Sequence, residues 1–200
     1  MTEIASSREQ DLAMSIFSDM RQQQHLRAAE GYLDLVMVFA DRWPLSLKHR
    51  DQIANRALRE LSLLDLSQIP NGHVRYLQGQ ALRAMECYDE AIEPFNIALE
   101  WDPDNIYIYL ALAWCYKRLD RLDLAIQALE DAMSVDPDEA IIHYNLACYW
   151  ALTNNVRMAV RYLEQSFTID PKYRDQVADE TDFDAIRDDP EFQSFARVIV

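Results

Sequence analysis

Glycine is close to absent from this chain, three in 200 residues, and proline occurs only seven times. Sandwiches and barrels need turn formers between many short strands, so this supply excludes a many-stranded β fold and leaves helices. Cysteine is scarce as well. Cys87, Cys115 and Cys148 are odd in number and scattered through helical patterns, which suits small core residues in a reducing compartment, by default the cytoplasm, better than a disulfide frame. Positive charge is also short: 19 Lys and Arg against 34 Asp and Glu leave a formal charge of −15. Phosphate binding needs a surplus of Lys and Arg, so no nucleic acid is expected as a partner. Apolar runs such as Leu35 to Ala40 are far too short to span a bilayer, and Met1 to Ser7 has no basic stretch followed by an apolar one. A soluble, unexported protein with no membrane partner is expected.

What the chain does have is apolar mass, 50% of its residues, with 10% aromatics, enough for a real core in one domain or two small ones. The charge is unevenly spread. Residues 1–60 carry 8 basic and 9 acidic side chains, whereas residues 61–200 carry 11 and 25.

A period of 34 organises the second half. Asp102-Pro103, Asp136-Pro137 and Asp170-Pro171 recur at that spacing, as do Ala91, Ala125 and Ala159, then Ile92, Ile126 and Val160. Gly79, Ala113 and Ala147 form a column of small residues, and Leu82, Tyr116 and Trp150 a column of large ones. Phe95, Leu129 and Leu163 follow, then Ala98, Ala132 and Ser166. A fixed period of this length means stacked supersecondary units. Within a unit, apolar residues at three- and four-residue intervals, such as Leu122, Ala125, Ile126, Leu129 and Ala132, predict two amphipathic helices. The small columns let the two backbones approach, and Asp-Pro ends each unit because proline cannot continue the helix behind it. Pro94 falls inside a second helix, where a local kink is expected.

These columns resemble the tetratricopeptide repeat. The pattern is carried by Gly79, Leu82, Ala91, Phe95, Ala98 and Pro103, then by Leu112, Ala113, Tyr116, Ala125, Leu129, Ala132 and Pro137, and again by Leu146, Ala147, Ala159, Leu163 and Pro171. Arg75, Tyr109 and His143 stand where the family prefers tryptophan, and Gln78 replaces a leucine. The resemblance implies an all-α, right-handed α-solenoid of helix hairpins, with N-terminal helices and a C-terminal capping helix. Repeats are read at 72–105, 106–139 and 140–173. Residues 24–71 read as a degenerate pair, since Ala57 lies 34 before Ala91 while Gly31 lies 48 before Gly79. Residues 1–23 read as a separate helix that could cap the stack, bounded by Gln22-Gln23-Gln24. Residues 174–200 read as an acidic tail and a terminal helix begun by Asp189-Pro190-Glu191. Capping of the last apolar face is the plain role of this tail, and docking of an acidic peptide elsewhere is the alternative.

No catalytic or ligand spacing is found. His25, His49, His73 and His143 do not pair at zinc spacing, and HExxH and CxxC are missing. Gly31, Gly72 and Gly79 are isolated and cannot build a phosphate cradle. Asp102, Asp104 and Asn105 lack the central glycine and closing glutamate of a calcium loop. No enzyme activity, metal or cofactor is expected.

A surface remains. In the family resembled here the first helices line a concave groove that takes peptides or helices, and matching positions place there Tyr76, Gln80 and Arg83 from the first repeat. The second would add Tyr107, Trp114, Lys117 and Arg118, and the third Tyr144 and Asn145. The aromatics would anchor, the cations would attract carboxylates, and Asn145 would hold a backbone. The family's carboxylate clamp is excluded, because Tyr76, Gln80, Ala111, Ile141 and Asn145 occupy its Lys, Asn and Arg positions. The aromatics also suit a core or a cover by the first helix, and the cations a solvated rim. The expected function is a protein-binding scaffold whose partner is a protein or peptide with acidic and apolar residues. Self-assembly into a homo-oligomer, through the groove or the open end of the array, is the alternative.

Overall fold

A computed structural model describes residues 2–42, 45–67 and 71–199, with side chains over 16–37, 45–67 and 72–195. Among the described residues the fold is all-α, with no strand. The helices are α1 Thr2–Arg42, α2 Leu47–Ser62, α3 Asn71–Ala84, α4 Tyr88–Trp101, α5 Ile106–Arg118, α6 Leu122–Val135, α7 Ala140–Leu152, α8 Val156–Ile169 and α9 Pro190–Ile199. Two short 3-10 helices, η1 Pro171–Gln176 and η2 Thr181–Ile186, lie between the last two. The chain forms two compact units, Met1–Trp101 and Asp102–Val200.

In the first unit α1 packs on α2, and α3 on α4. Ala29 and Leu33 of α1 meet Ala57 and Leu61 of α2, Leu64 just beyond it, and Val74, Leu77 and Ala81 of α3 in one buried cluster. Histidine–carboxylate hydrogen bonds edge this core: His25 Nδ1 with Glu60 at 2.7 Å and His73 Nε2 with Glu30 at 2.8 Å. One expectation is corrected. Gln22–Gln24 does not end a first helix; α1 runs unbroken through it, as the good helix propensity of glutamine allows. Pro94 sits buried in α4 without ending that helix.

In the second unit α5 packs on α6, α6 on α7 and α7 on α8. The small columns are fully buried: Ala113, Ala125, Ala147 and Ala159 are all 0% exposed, and so are Leu129 and Leu163 beside them. The residue standing in the tryptophan column ties each hairpin to its Asp-Pro turn. Tyr109 Oη donates to the Pro103 carbonyl at 3.0 Å, and His143 Nε2 lies 2.7 Å from that of Pro137.

The turn inside each hairpin is the same structure three times. Glu86, Asp120 and Asn154, 34 residues apart, have φ of 63°, 59° and 61°. The next residue's N–H reaches back to the large column, Cys87 to the Leu82 carbonyl, Arg121 to Tyr116 and Asn155 to Trp150, at 2.9 to 3.0 Å. The left-handed residue's own N–H bonds to Arg83, Lys117 or Ala151. This is the Schellman ending, which normally takes glycine because a Cβ in the left-handed region costs about 1–2 kcal/mol. The near absence of glycine means that this strain is carried by Glu, Asp and Asn.

Asp120→Gly is therefore expected to raise stability by about 0.5–1 kcal/mol, by relieving the backbone and removing a negative charge from a helix C-terminus. A urea midpoint unchanged or lowered would contradict this. Gly79 shows the opposite case. A Cβ there would stand 2.6 to 2.8 Å from the ring of Phe95, which is 0% exposed and has no room to turn. Gly79→Ala should cost about 1–3 kcal/mol in the same assay despite alanine's better helix propensity.

Candidate functional site

The residues expected to form a groove fall into both units. On α3 they make a hydrogen-bonded row: Gln80 Nε2 donates to Tyr76 Oη at 2.6 Å, and Arg83 Nε donates to Gln80 Oε1 at 2.9 Å. Tyr76 and Gln80 line a pocket of about 150 Å³ whose other wall is Leu33, Val36 and Met37 of α1. Arg83 reaches the Met37 sulfur at 3.8 Å. These side chains thus face the chain's own first helix, and Tyr76 also lies 6.0 Å, ring to ring, from Phe95.

The second unit presents a different surface. Tyr107 and Trp114 are seven residues apart, two turns of α5, and so share one side of it. They are exposed, Tyr107 by 63% and Trp114 by 39%. Arg118, one turn beyond Trp114, is exposed, and Asn145 on α7 is half-buried. Asn105 caps α5 by accepting the Tyr107 N–H at 3.1 Å, which fixes where this helix begins and hence the side on which both rings appear. Lys117 joins the aromatics, with Nζ 5.3 Å from the centre of the Trp114 ring and 5.6 Å from that of Tyr149.

Two expected contact residues are not available to a partner in this structure. Tyr144 is 3% exposed, and Lys117 has only 18% of its side chain accessible. The chain's own tail covers them: η2 packs on α7, and Lys117 Nζ forms an ion pair with Asp182. Phe183, 0% exposed, stands edge-on to Tyr144 with ring centres 6.0 Å apart, and Tyr173 lies 5.0 Å from the same ring. Glu180 Oε1 accepts the Asp182 N–H and so sets the start of η2. The remainder of the tail covers α8, where Phe195 stacks on Phe167 at 5.8 Å and Phe192 lies 5.6 Å from Phe183.

Cys148, Glu180 and Asp182 bring their ligand-type atoms within 4.8 Å of one another beneath this tail. The Lys117 ammonium already supplies the positive charge there. Burial pushes the Cys148 thiol far above its usual range, with the carboxylates of Glu180 and Asp182 adding to the effect. Burial likewise raises the Tyr144 phenol, and its hydroxyl has no hydrogen-bond partner among the described residues. Tyr173 was not singled out by sequence reasoning, and Asp182 and Phe183 were legible only as part of the acidic tail, not as partners of Lys117 and Tyr144. The signal for them was electrostatic: residues 170–191 hold nine acidic and three basic side chains, a complement to the few cations on α5.

Residues 82–147 match the tetratricopeptide repeat family. Among solved structures the chain is similar to a crystal structure of MamA, at 19% identity over 74% of this chain and 81% of that one, with a TM-score of 0.56. A 41-end form of MamA from Desulfovibrio magneticus RS-1 is similar at 17% identity, over 78% and 96%, also with a TM-score of 0.56. YrrB, described as a TPR protein with an unusual peptide-binding site, is 22% identical over 86% of this chain and 84% of its own, with a TM-score of 0.53. No curated protein matches. Among the described residues, no helix is long and apolar enough to cross a membrane.

The burial differences generate a chemical expectation. Cys115 and Cys148 are buried whereas Cys87 is half-buried, so iodoacetamide should modify Cys87 well ahead of the other two. Peptide mapping that finds Cys115 modified first would contradict the packing of α5.

Proposed function

We propose, from the match of residues 82–147 to the tetratricopeptide repeat family, that this chain is a non-catalytic interaction module that holds a peptide or helix of a partner protein against the α5 face of its second unit. The observation that carries this reading is the pair Tyr107 and Trp114, large rings left in solvent on one side of a well-packed helix. An exposed ring on a rigid helix loses little conformational freedom on binding and buries a large area, which is why such residues dominate interface energetics. Arg118 and Lys117 are cations in a molecule of net charge −15, Lys117 being held by Asp182 of the tail, so a segment with carboxylates beside apolar groups is the complementary ligand. The peptide-binding site of the structurally similar YrrB supports the same use of the fold. The end of the array at α8 is covered by η1 and α9, which leaves the α5 face the better docking surface.

The test uses the full chain and a double variant, Tyr107→Ala with Trp114→Ala, as baits in native lysate. Proteins held by the wild type are identified, and their affinity is remeasured with purified partner. Loss of two anchoring rings should weaken binding by about 30-fold or more while the circular dichroism spectrum stays unchanged. Equal affinity for both baits would remove the α5 face as the site.

A further inference from the structure

We infer that the α5 and α7 face of the second unit is a receptor for a short segment carrying a carboxylate followed directly by an aromatic ring, that the chain's own Asp182 and Phe183 hold it shut, and that a partner enters by displacing them. This rests on the interaction-module reading and names the chemistry of its ligand.

The recognition elements are the groups the tail now occupies. Lys117 offers a cation set between the rings of Trp114 and Tyr149, and Asp182 meets it with a side chain only 12% exposed. Next to it, Phe183 fills the space against Tyr144. A charge pair removed from water is sensitive to the loss of either member, because the one left behind is desolvated without a partner. An apolar plug or a neutral polar residue cannot replace Asp182 at Lys117, so the site discriminates for a carboxylate. The unpartnered Tyr144 hydroxyl is a further polar group that an incoming segment's carbonyl can satisfy.

The tail is built to leave. It lies on α7 as a six-residue 3-10 helix, a form with poorer hydrogen-bond geometry than the α-helix. Its own backbone bonds are long: Phe183 N to the Glu180 carbonyl and Arg187 N to the Asp184 carbonyl are both 3.4 Å. The 34-spaced bonds of the hairpin turns are 2.8 to 3.0 Å. N–H···O bonds normally lie between about 2.7 and 3.2 Å, so η2 is held mainly by its side chains: Asp182 on Lys117, Phe183 and Ile186 buried beneath it, and Arg187 Nη2 donating to the Glu180 carbonyl at 2.8 Å. A partner with the same two groups competes against a tethered segment, and its apparent affinity is reduced by the fraction of time the site is open.

Cys148 reports on opening, because its sulfur lies within 4.8 Å of the Glu180 and Asp182 carboxylates, whereas the buried Cys115 belongs to α5. In the wild-type chain, iodoacetamide should modify Cys148 at least tenfold faster than Cys115. Asp182→Asn should raise the Cys148 rate a further tenfold, with the Cys115 rate and helix content unchanged. A fluorescent peptide of the sequence of residues 177–189 should bind the Asp182→Asn chain at least tenfold more tightly than the wild type. Asn in place of the peptide's own Asp182, or Lys117→Met in the receptor, should each abolish that binding. Equal Cys148 and Cys115 rates in the wild type, or a joint rise of both in Asp182→Asn, would show the tail to be inseparable from the core and overturn the proposal. So would a chain whose Cys148 has opened yet takes no peptide. These measurements use purified components, so their failure leaves the capture experiment on Tyr107 and Trp114 standing.

Discussion

The left-handed turn at the apex of each hairpin is the constraint on which the rest of this structure depends. Glu86, Asp120 and Asn154 reverse the chain in one step, and the bonds from the following residue to Leu82, Tyr116 and Trp150 lock the angle at which the second helix returns. Once that angle is set, Gly79 meets Phe95, and the buried alanines of the second unit let the backbones of α5 with α6 and of α7 with α8 lie close. Close approach needs a small residue on at least one of the two helices, so the turn and the small columns select each other. Which side of α5 carries Tyr107 and Trp114 to solvent follows from the same geometry.

A second interaction governs the exposed face. Lys117 lies on the side of α5 toward α7, where an unpaired ammonium would be costly, and Asp182 from the tail neutralises it. The tail therefore does more than shield the last apolar surface of α8. Its aromatic residues Phe183, Phe192 and Phe195 bury against the repeats while its carboxylates remain largely at the rim, which accounts for the concentration of negative charge near the C-terminus. The tail thus joins a buried charge pair to a row of buried rings on one surface of the second unit.

The hairpins were legible in the sequence because helix packing leaves periodic marks: small, large and breaker residues at intervals of 34. Even the features lacking a family signature followed the period, as Tyr109 and His143 show by bonding the carbonyls of Pro103 and Pro137. Other features were hidden. The turn residues gave no signal because their conformation normally selects glycine, and here three different polar residues bear it. The single helix α1 was read as two because a run of glutamines looks like a boundary in composition, although glutamine is a good helix former. On α3, Tyr76, Gln80 and Arg83 were legible as one face, but not as a hydrogen-bonded row turned toward α1.

Sequence by itself determined the helical class, the repeat length and the residues on the leading helix of each hairpin, since these depend on local periodicity and on turn chemistry within one unit. Tertiary structure alone decided which of those residues meet solvent. Lys117 and Asp182 are 65 positions apart, as are no two residues linked by periodicity, and their pairing arises only when the tail folds back on α7. Tyr107 and Tyr144 illustrate the difference: both are aromatic residues on leading helices, yet one is 63% exposed and the other 3%. The physical reason is that burial is a property of what packs on top, and a local pattern specifies the face a residue occupies but not the segment that arrives to cover it.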